Sequence, residues 1–425
     1  MSKIYKPRII DTLLKKKLSY MGAVLLQGPK WCGKTTTGEH HAKSMIFLDD
    51  PDNKNHYQLL ANTQISILLE GEVPRLIDEW EITPQIWDAV RHTVDRRSLP
   101  GQFILAGSAK PVDKNNIYHS GTGRIARLLM RPMSLYESGE SSGKISLNHL
   151  FSHKETGVIL VKENDLREIA FSVCRGGWPF AVDLPQSLSL SVAQDYVDAI
   201  INEDVNRVDD TLRNSFTTHA LMRSYARFQG TQTPLTTITE DISNSDAKIS
   251  EQTVKLYIEA LRNLFVIEDM EAWNPNLKSR TAIRTTPTRY FVDPSIAAAS
   301  LRIGPEDLIN DTKTFGFMFE TLCVRDLRIY AEAIDGDVFH YRDKNCLECD
   351  CVIHLKNGQY ALIEIKLGGD KLIEEAAANL KKLKSKIDTE KMGAPAFEMV
   401  LVAKGVAAYR REDGIYVVPI TALKD

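Results

Sequence analysis

One stretch constrains this chain more than any other: residues 21–44, MGAVLLQGPKWCGKTTTGEHHAKS. Within it, Gly28, Pro29, Lys30, Trp31, Cys32, Gly33, Lys34 and Thr35 satisfy the spacing G-x-x-x-x-G-K-[ST], and Thr36 follows. That spacing has a physical basis. Glycines let backbone N–H groups curl around phosphates, the lysine adds a cation, and the hydroxyl meets a Mg²⁺ ion. A loop that merely needed two glycines is the competing account, but a chance match in a chain this long has odds on the order of one in a hundred. The context agrees with the motif: MGAVLLQG is a short apolar run and KTTTGEHHAKS reads as a helix start, giving strand, glycine-rich turn and helix in order.

Three more short apolar runs follow, SMIFLDD, VPRLIDEW and GQFILAGSA, separated by helix-length segments. Apolar strands alternating with helices predict an α/β fold with a parallel sheet covered on both faces and ligands at its carboxyl edge. VPRLIDEW delivers Asp78 and Glu79 to that edge. There Asp78 can hold Mg²⁺ through its water shell and Glu79 can orient or deprotonate the attacking water. An acidic helix start would also account for the pair. FILAGSA ends on Ser108, placed to sense a γ-phosphate or to cap the next helix. SGTGRIARLLMRP presents Arg124 and Arg127. Arg124 is the candidate for an arginine reaching a neighbouring subunit's nucleotide, and an ordinary ion pair is the alternative.

PRIIDTLL, GPKWCGKTT, FLDDP, LIDEW, FILAGSA, GTGRIARLLMRPMSLYE and RGGWP occur in an order that resembles the AAA-superfamily ATPases carrying a C-terminal domain of unknown function. Lys30 stands where many members carry Arg. The resemblance spans nearly the whole chain and implies ATP as ligand, Mg²⁺ as cofactor and a prokaryotic cytoplasmic setting. A finger in trans further implies a homo-oligomer.

A chain of 425 residues is expected to form two to four domains. Hydrophobic content of 43% and charged content of 26% describe a soluble globular protein. A net charge of −3 excludes a whole-surface nucleic-acid footprint and leaves only local basic patches. No apolar run reaches 18 residues and the opening MSKIYKPRIIDTLLKKKLSY lacks a signal-peptide pattern, so a cytoplasmic protein without membrane partners is the expectation. Six dispersed cysteines agree with a reducing compartment. Cys346, Cys349 and Cys351 lack a clear fourth ligand, with only His340 and His354 near, and read as ordinary thiols before they read as a zinc site.

The expected organisation is an AAA-type core over residues 1–157, a helical lid over 158–228, a third module over 229–298 and a C-terminal α/β domain over 299–425. In the third module, Val254, Tyr257, Ile258, Leu261 and Leu264 lie at helical spacing before the strand-like LFVIEDM. Helix, strand and hairpin in this order resemble a winged-helix module. Its hairpin carries Lys278, Arg280, Arg284 and Arg289, a basic strip that would track a nucleic-acid backbone without reading bases, or would simply be solvated.

A second constellation lies near the C-terminus. LECDCVIHL and YALIEIKL, joined by the turn KNG, predict a hairpin. Residues two apart on a strand share a face, so registry can gather Asp350, Glu364 and Lys366. This arrangement resembles a PD-(D/E)xK restriction-endonuclease-like core, in which two carboxylates hold a divalent cation and the lysine activates water or steadies a phosphate. Glu320 matches the acidic position on the first core helix. The wet face of a sheet is the alternative, but the nearly continuous apolar run around Glu364 implies burial, and buried charges need partners or a cation. Three functions follow: an ATPase governing appended modules, an ATP-licensed metal-dependent nuclease, or a nucleotide-gated interaction protein that cleaves nothing.

Overall fold

The computed structural model describes residues 5–108, 120–152, 157–162, 165–208, 211–244, 249–275 and 286–425. They form two compact units. The first runs to Pro132 and includes Ala199–Asn214 and Tyr257–Val266; the second comprises Met133–Asp198, Ser215–Leu256 and Ile267–Asp425.

In the first unit the chain order is α1 (Ile10–Leu18), β1 (Ala23–Gln27), α2 (Lys34–His41), β2 (Ser44–Phe47), α3 (Lys54–Thr63), β3 (Arg75–Asp78), α4 (Gln85–Arg97), β4 (Phe103–Gly107) and β5 (Ile125–Leu129). All five strands are parallel, in the order β2-β3-β4-β1-β5. Alternate strand residues feed two cores, as strand geometry requires. Val24, Leu26, Leu76 and Ile104 join Leu14 of α1 on one face, while Ala23, Leu25, Ile77 and Leu105 join Trp87 and Val90 of α4 on the other. Register aligns Gln27 with Gly107 and Asp78 with Ala106. The ends of β1, β3 and β4 therefore meet at one carboxyl edge.

The second unit contains β6 (Ile145–Ser146), α5 (Leu147–Phe151), β7 (Ile159–Leu160), α6 (Leu166–Arg175), α7 (Pro179–Val182), most of α8 (Gln186–Asn202), α9 (Ser215–Arg227), α10 (Leu235–Ser243) and the start of α11 (Glu251–Asn263). Then come α12 (Pro294–Leu301), α13 (Pro305–Asn310), α14 (Thr312–Ala333), β8 (Gly336–Arg342), β9 (Glu348–Leu355), β10 (Tyr360–Lys366) and α15 (Asp370–Lys386). The chain closes with α16 (Thr389–Met392), β11 (Phe397–Val402), β12 (Ala407–Arg410), β13 (Tyr416–Pro419) and β14 (Leu423–Lys424). A seven-stranded sheet runs β7-β12-β13-β11-β10-β9-β8. The expected hairpin is present, with Tyr360 opposite His354 and Ile363 opposite Cys351. β10 then pairs parallel with β11, and α15 makes the crossover. Leu380 and Leu383 of α15 pack on Val352, Leu362 and Val400, and α14 packs on β8, β9 and β10.

A buried ionic hub holds the helical part of this unit together. Arg325 of α14 pairs with Asp293 and with Asp326, each at 2.8 Å, and all three side chains are at most 2% exposed. Asp293 also accepts from the Gly177 and Ser295 amides, and Asp326 accepts from the Leu135 amide. Burial lifts the Asp326 pKa to about 6 against the pull of Arg325. Because removing Arg325 leaves two buried carboxylates without their counter-charge, Arg325→Ala should cost roughly 3–5 kcal/mol of stability, read as a lowered urea midpoint.

Candidate functional site

The loop between β1 and α2 has the backbone the motif demands. Gly28 has φ +156° and Gly33, at the entry to α2, has φ +104°; Trp31 between them also has positive φ, and its side chain is half exposed. A Cβ on Gly28 would lie 2.1 Å from the Met130 carbonyl oxygen, so no side chain fits there. Lys34 is buried, and its ammonium donates to the Gly28 and Pro29 carbonyls at 3.0 and 2.8 Å. Thr35 Oγ1 donates to Asp78 Oδ2 at 2.9 Å, joining the first turn of α2 to the end of β3. Thr36 faces solvent.

Asp78 is 6% exposed, and burial, with help from Glu79 and Asp49, raises its pKa to about 6 against the Thr35 hydrogen bond and Lys34. Glu79 follows in left-handed conformation, φ +50°, and is part-buried. Ser108, just beyond β4, is buried at the same edge. Its amide donates to Glu81, a residue not singled out from the sequence.

Arg124 is not brought to this cluster. It precedes β5, whose first residue Ile125 pairs with Ala23 at the opposite edge of the sheet, and it forms a 2.7 Å ion pair with Asp95 of α4. Arg127 lies over the Trp87 ring.

Two braces on the loop were also missed in the sequence. Arg8 is buried and donates to the Cys32 carbonyl at 2.9 Å and the Arg131 carbonyl at 2.8 Å. Asp11 holds the Arg8 amide, Tyr5 and His41 together, and those contacts keep its pKa low despite burial. Lys30 pairs with Asp204 at 2.6 Å. PRIID and NED carry no chemistry by spacing; only the fold gives them a role.

In the second unit the structure gathers Glu320, Asp350, Glu364 and Lys366. Lys366 Nζ lies 2.9 Å from Asp350 Oδ2 and 2.8 Å from Glu364 Oε2. Asp350 also accepts from the Ile365 amide, just past the end of the β9–β10 ladder, and Glu364 accepts from Asn379 of α15 at 2.7 Å. Tyr290 donates to Glu320. Burial and then Asp350 raise Glu320 well above a normal carboxyl and lift Glu364 to about 8. Burial opposes the charge on Lys366, but Asp350 and Glu364 outweigh it and raise its pKa.

An ammonium thus sits between the carboxylates expected to hold a second cation. Among the described residues, no group of three or more His, Cys, Asp and Glu is arranged to hold a metal ion. Cys349 and Cys351 are buried free thiols. Of the basic hairpin, Lys278, Arg280 and Arg284 lie outside the described residues. Arg289 corrects the expectation of a basic strip there: it is buried against Asp269 at 3.0 Å because an interior guanidinium needs a counter-charge.

Residues 21–139 match a family model described as an AAA domain. Together with the loop geometry, that match supports a P-loop ATPase. Two further models match, each described as a domain of unknown function: DUF8612 over 166–307 and DUF4143 over 315–423. Two curated relatives, each described as an uncharacterized protein, come from Mycobacterium bovis and Mycobacterium tuberculosis. Each is 22% identical over 361 residues, covering 83% of this chain and 72% of its own. The Walker-type ATPase PABY2304 of Pyrococcus abyssi is similar at 15% identity and a TM-score of 0.43, covering 69% of this chain and 94% of that one. No helix among the described residues is long and apolar enough to cross a membrane.

The raised Asp78 pKa has a measurable sign. From the ordinary value of 3.8 up to about 6 the folded state holds a proton that the unfolded state has lost, so stability falls as pH rises through that window and the full penalty remains at pH 7. In protein free of nucleotide and divalent cation, Asp78→Asn should therefore gain up to about 3 kcal/mol at pH 7, and the gain should vanish toward pH 4 in urea unfolding.

Proposed function

We propose that the first unit binds ATP with Mg²⁺ and hydrolyses it. The observation that carries this reading is the Thr35–Asp78 hydrogen bond, which puts a hydroxyl and a buried carboxylate side by side at the mouth of a glycine-rich loop closed by Lys34. These hard oxygens suit Mg²⁺, and a carboxylate destabilised by burial gains from a nearby cation. Bound MgATP would supply a phosphoanhydride polarised by the cation.

Around it, the loop amides and Lys34 would hold the β- and γ-phosphates, and Thr35 and Asp78 the metal. Glu79 would orient and deprotonate water, and Ser108 would face the γ-phosphate. Arg124, at the far edge of the sheet, would act as a finger only toward a second copy of the chain.

Lys34→Ala should weaken ATP binding roughly 10–100-fold, since a charge-assisted contact is lost. Glu79→Gln should retain binding and lose about 10²–10⁴-fold in kcat. Nucleotide titration and steady-state phosphate release measure the two, and unchanged turnover in both variants defeats the proposal.

A second reading concerns the C-terminal sheet, where nucleotide state would govern a nuclease-like module. It is supported by the order α14, β8, β9, β10, α15, β11 and by the meeting of Glu320, Asp350, Glu364 and Lys366. The module before it would be winged-helix-like: α10 and α11 precede an antiparallel ribbon bridged at Ile267–Phe291 and Met270–Thr288. A divalent cation would have to take the place of the Lys366 ammonium between Asp350 and Glu364. The expected result is Mn²⁺- or Mg²⁺-dependent cleavage of DNA or RNA that Asp350→Ala and Lys366→Ala both abolish. ATP-dependent partner capture untouched by Asp350→Ala would instead mark a regulator without cleavage activity.

A further inference from the structure

The turn after β3 does more than present Asp78 and Glu79. Glu79 has φ +50° and ψ +42°, a left-handed conformation that costs a non-glycine residue energy. It leads into a single 3₁₀ turn, Trp80–Ile82, which packs against β4 before the chain enters α4. Trp80 is 3% exposed and lies against the Trp87 ring, centroids 5.0 Å apart, so the turn is anchored in the core.

Glu81 consequently reaches the end of the neighbouring strand, and its Oε1 accepts from the Ser108 amide at 2.8 Å. In the β3–β4 ladder Asp78 is level with Ala106. Ser108 lies two residues beyond that last paired position, where β3 offers no backbone acceptor, and the Glu81 carboxylate supplies one. Gly107 completes the fit: a Cβ there would lie 2.3 Å from Glu81 Oε2 and 2.8 Å from Trp80 Nε1. The absence of a side chain at 107 is what lets the carboxylate lie across the strand.

We infer that Glu81 is a positioning residue for ATP hydrolysis. Its carboxylate ties the Ser108 end of β4 to the turn bearing Asp78 and Glu79, so that the group facing the γ-phosphate and the group orienting water move as one body. This inference rests on the ATPase reading above. Glu81 acts through Ser108, and what it supplies is a hydrogen-bond acceptor rather than a base. Misplacing a reacting group by about 1 Å costs on the order of 10²-fold in rate, which sets the scale of the effect.

The test uses the full chain, with steady-state MgATP turnover and nucleotide affinity measured separately by fluorescent ATP-analogue titration. Glu81→Ala should lower kcat roughly 10–100-fold while leaving KM and nucleotide affinity within about threefold of wild type. Glu81→Gln keeps an oxygen facing the Ser108 amide and should restore kcat to within about threefold of wild type. If Glu81→Ala does not fold, Gly107→Ala pushes on the same carboxylate from the other side and should show the same kcat loss. An unaffected kcat in Glu81→Ala or Gly107→Ala overturns the inference, as does Glu81→Gln failing as badly as Glu81→Ala, which would make Glu81 a base. A parallel loss of nucleotide affinity overturns it as well. A wild-type protein that binds nucleotide but never turns it over defeats the ATPase reading itself, which an indifferent Glu81→Ala in an active enzyme does not.

Discussion

The hydrogen bond from Thr35 to Asp78 is the contact on which the first unit depends. It spans two elements far apart in sequence, and both of its ends are constrained. Thr35 is fixed because α2 can start only where Gly33, at φ +104°, lets the loop turn into it. Asp78 is fixed because β3 runs parallel between β2 and β4, which delivers its last residue to the edge where β1 also ends. A carboxylate at 6% exposure is costly unless something compensates it. Here a hydroxyl and a neighbouring ammonium do so only in part, which leaves the pKa near 6. The fold keeps an acid under electrostatic tension beside a loop shaped for phosphates, and perturbed groups of this kind concentrate where chemistry is done.

The second unit meets the same problem differently. Its cluster also buries carboxylates, but an ammonium already bridges two of them, and Tyr290 and Asn379 satisfy further oxygens. Satisfied networks of this kind rigidify their surroundings, while partly satisfied ones are unstable. Lys366 is therefore both a stabilising counter-ion and a group any incoming cation has to displace. The sheet would be expensive to fold without it, since β10 is buried from Tyr360 to Ile365.

Much of this was legible in the sequence where local rules dominate. The strand–loop–helix unit at 23–41, the strand ends at Asp78 and Ser108, and the β9–β10 hairpin follow from periodicity, glycine spacing and a turn signal, because each is decided by residues within one or two elements. The meeting of Asp350, Glu364 and Lys366 could be anticipated because strand alternation and hairpin register are nearly rigid. What escaped depends on distant partners. Arg289 looks like a solvated wing residue until Asp269 is brought beside it. Arg124 offered either a finger toward a second copy or an ion pair, and the fold supplies Asp95 of α4 as its partner within the chain. Arg8, although it lies in PRIIDTLL, and Glu81 had no chemical pattern, since their partners are backbone groups at Cys32, Arg131 and Ser108 that almost any residue type could have provided.

The braces on the phosphate-type loop differ in exposure, and the difference suggests which an incoming anion can reach. Arg8 is buried, and its two contacts are charge-assisted bonds to carbonyls, worth about 1.5–3 kcal/mol each and harder to give up once water is excluded. The Gly28 backbone is wedged against Met130 with no slack. Lys30, by contrast, keeps 40% of its side chain exposed, although the Asp204 carboxylate it pairs with keeps only 9%. On the ATPase reading, an arriving phosphate would compete with Asp204 for the exposed Lys30 ammonium, and the buried Asp204 carboxylate would then need another donor, while Arg8 and Gly28 would hold their shape. Asp204 belongs to the segment 199–214, distant in sequence but part of the same compact unit. The most exposed of the three braces is thus the one that links the loop to another segment of the chain, and its ammonium is the group there that an incoming anion can reach.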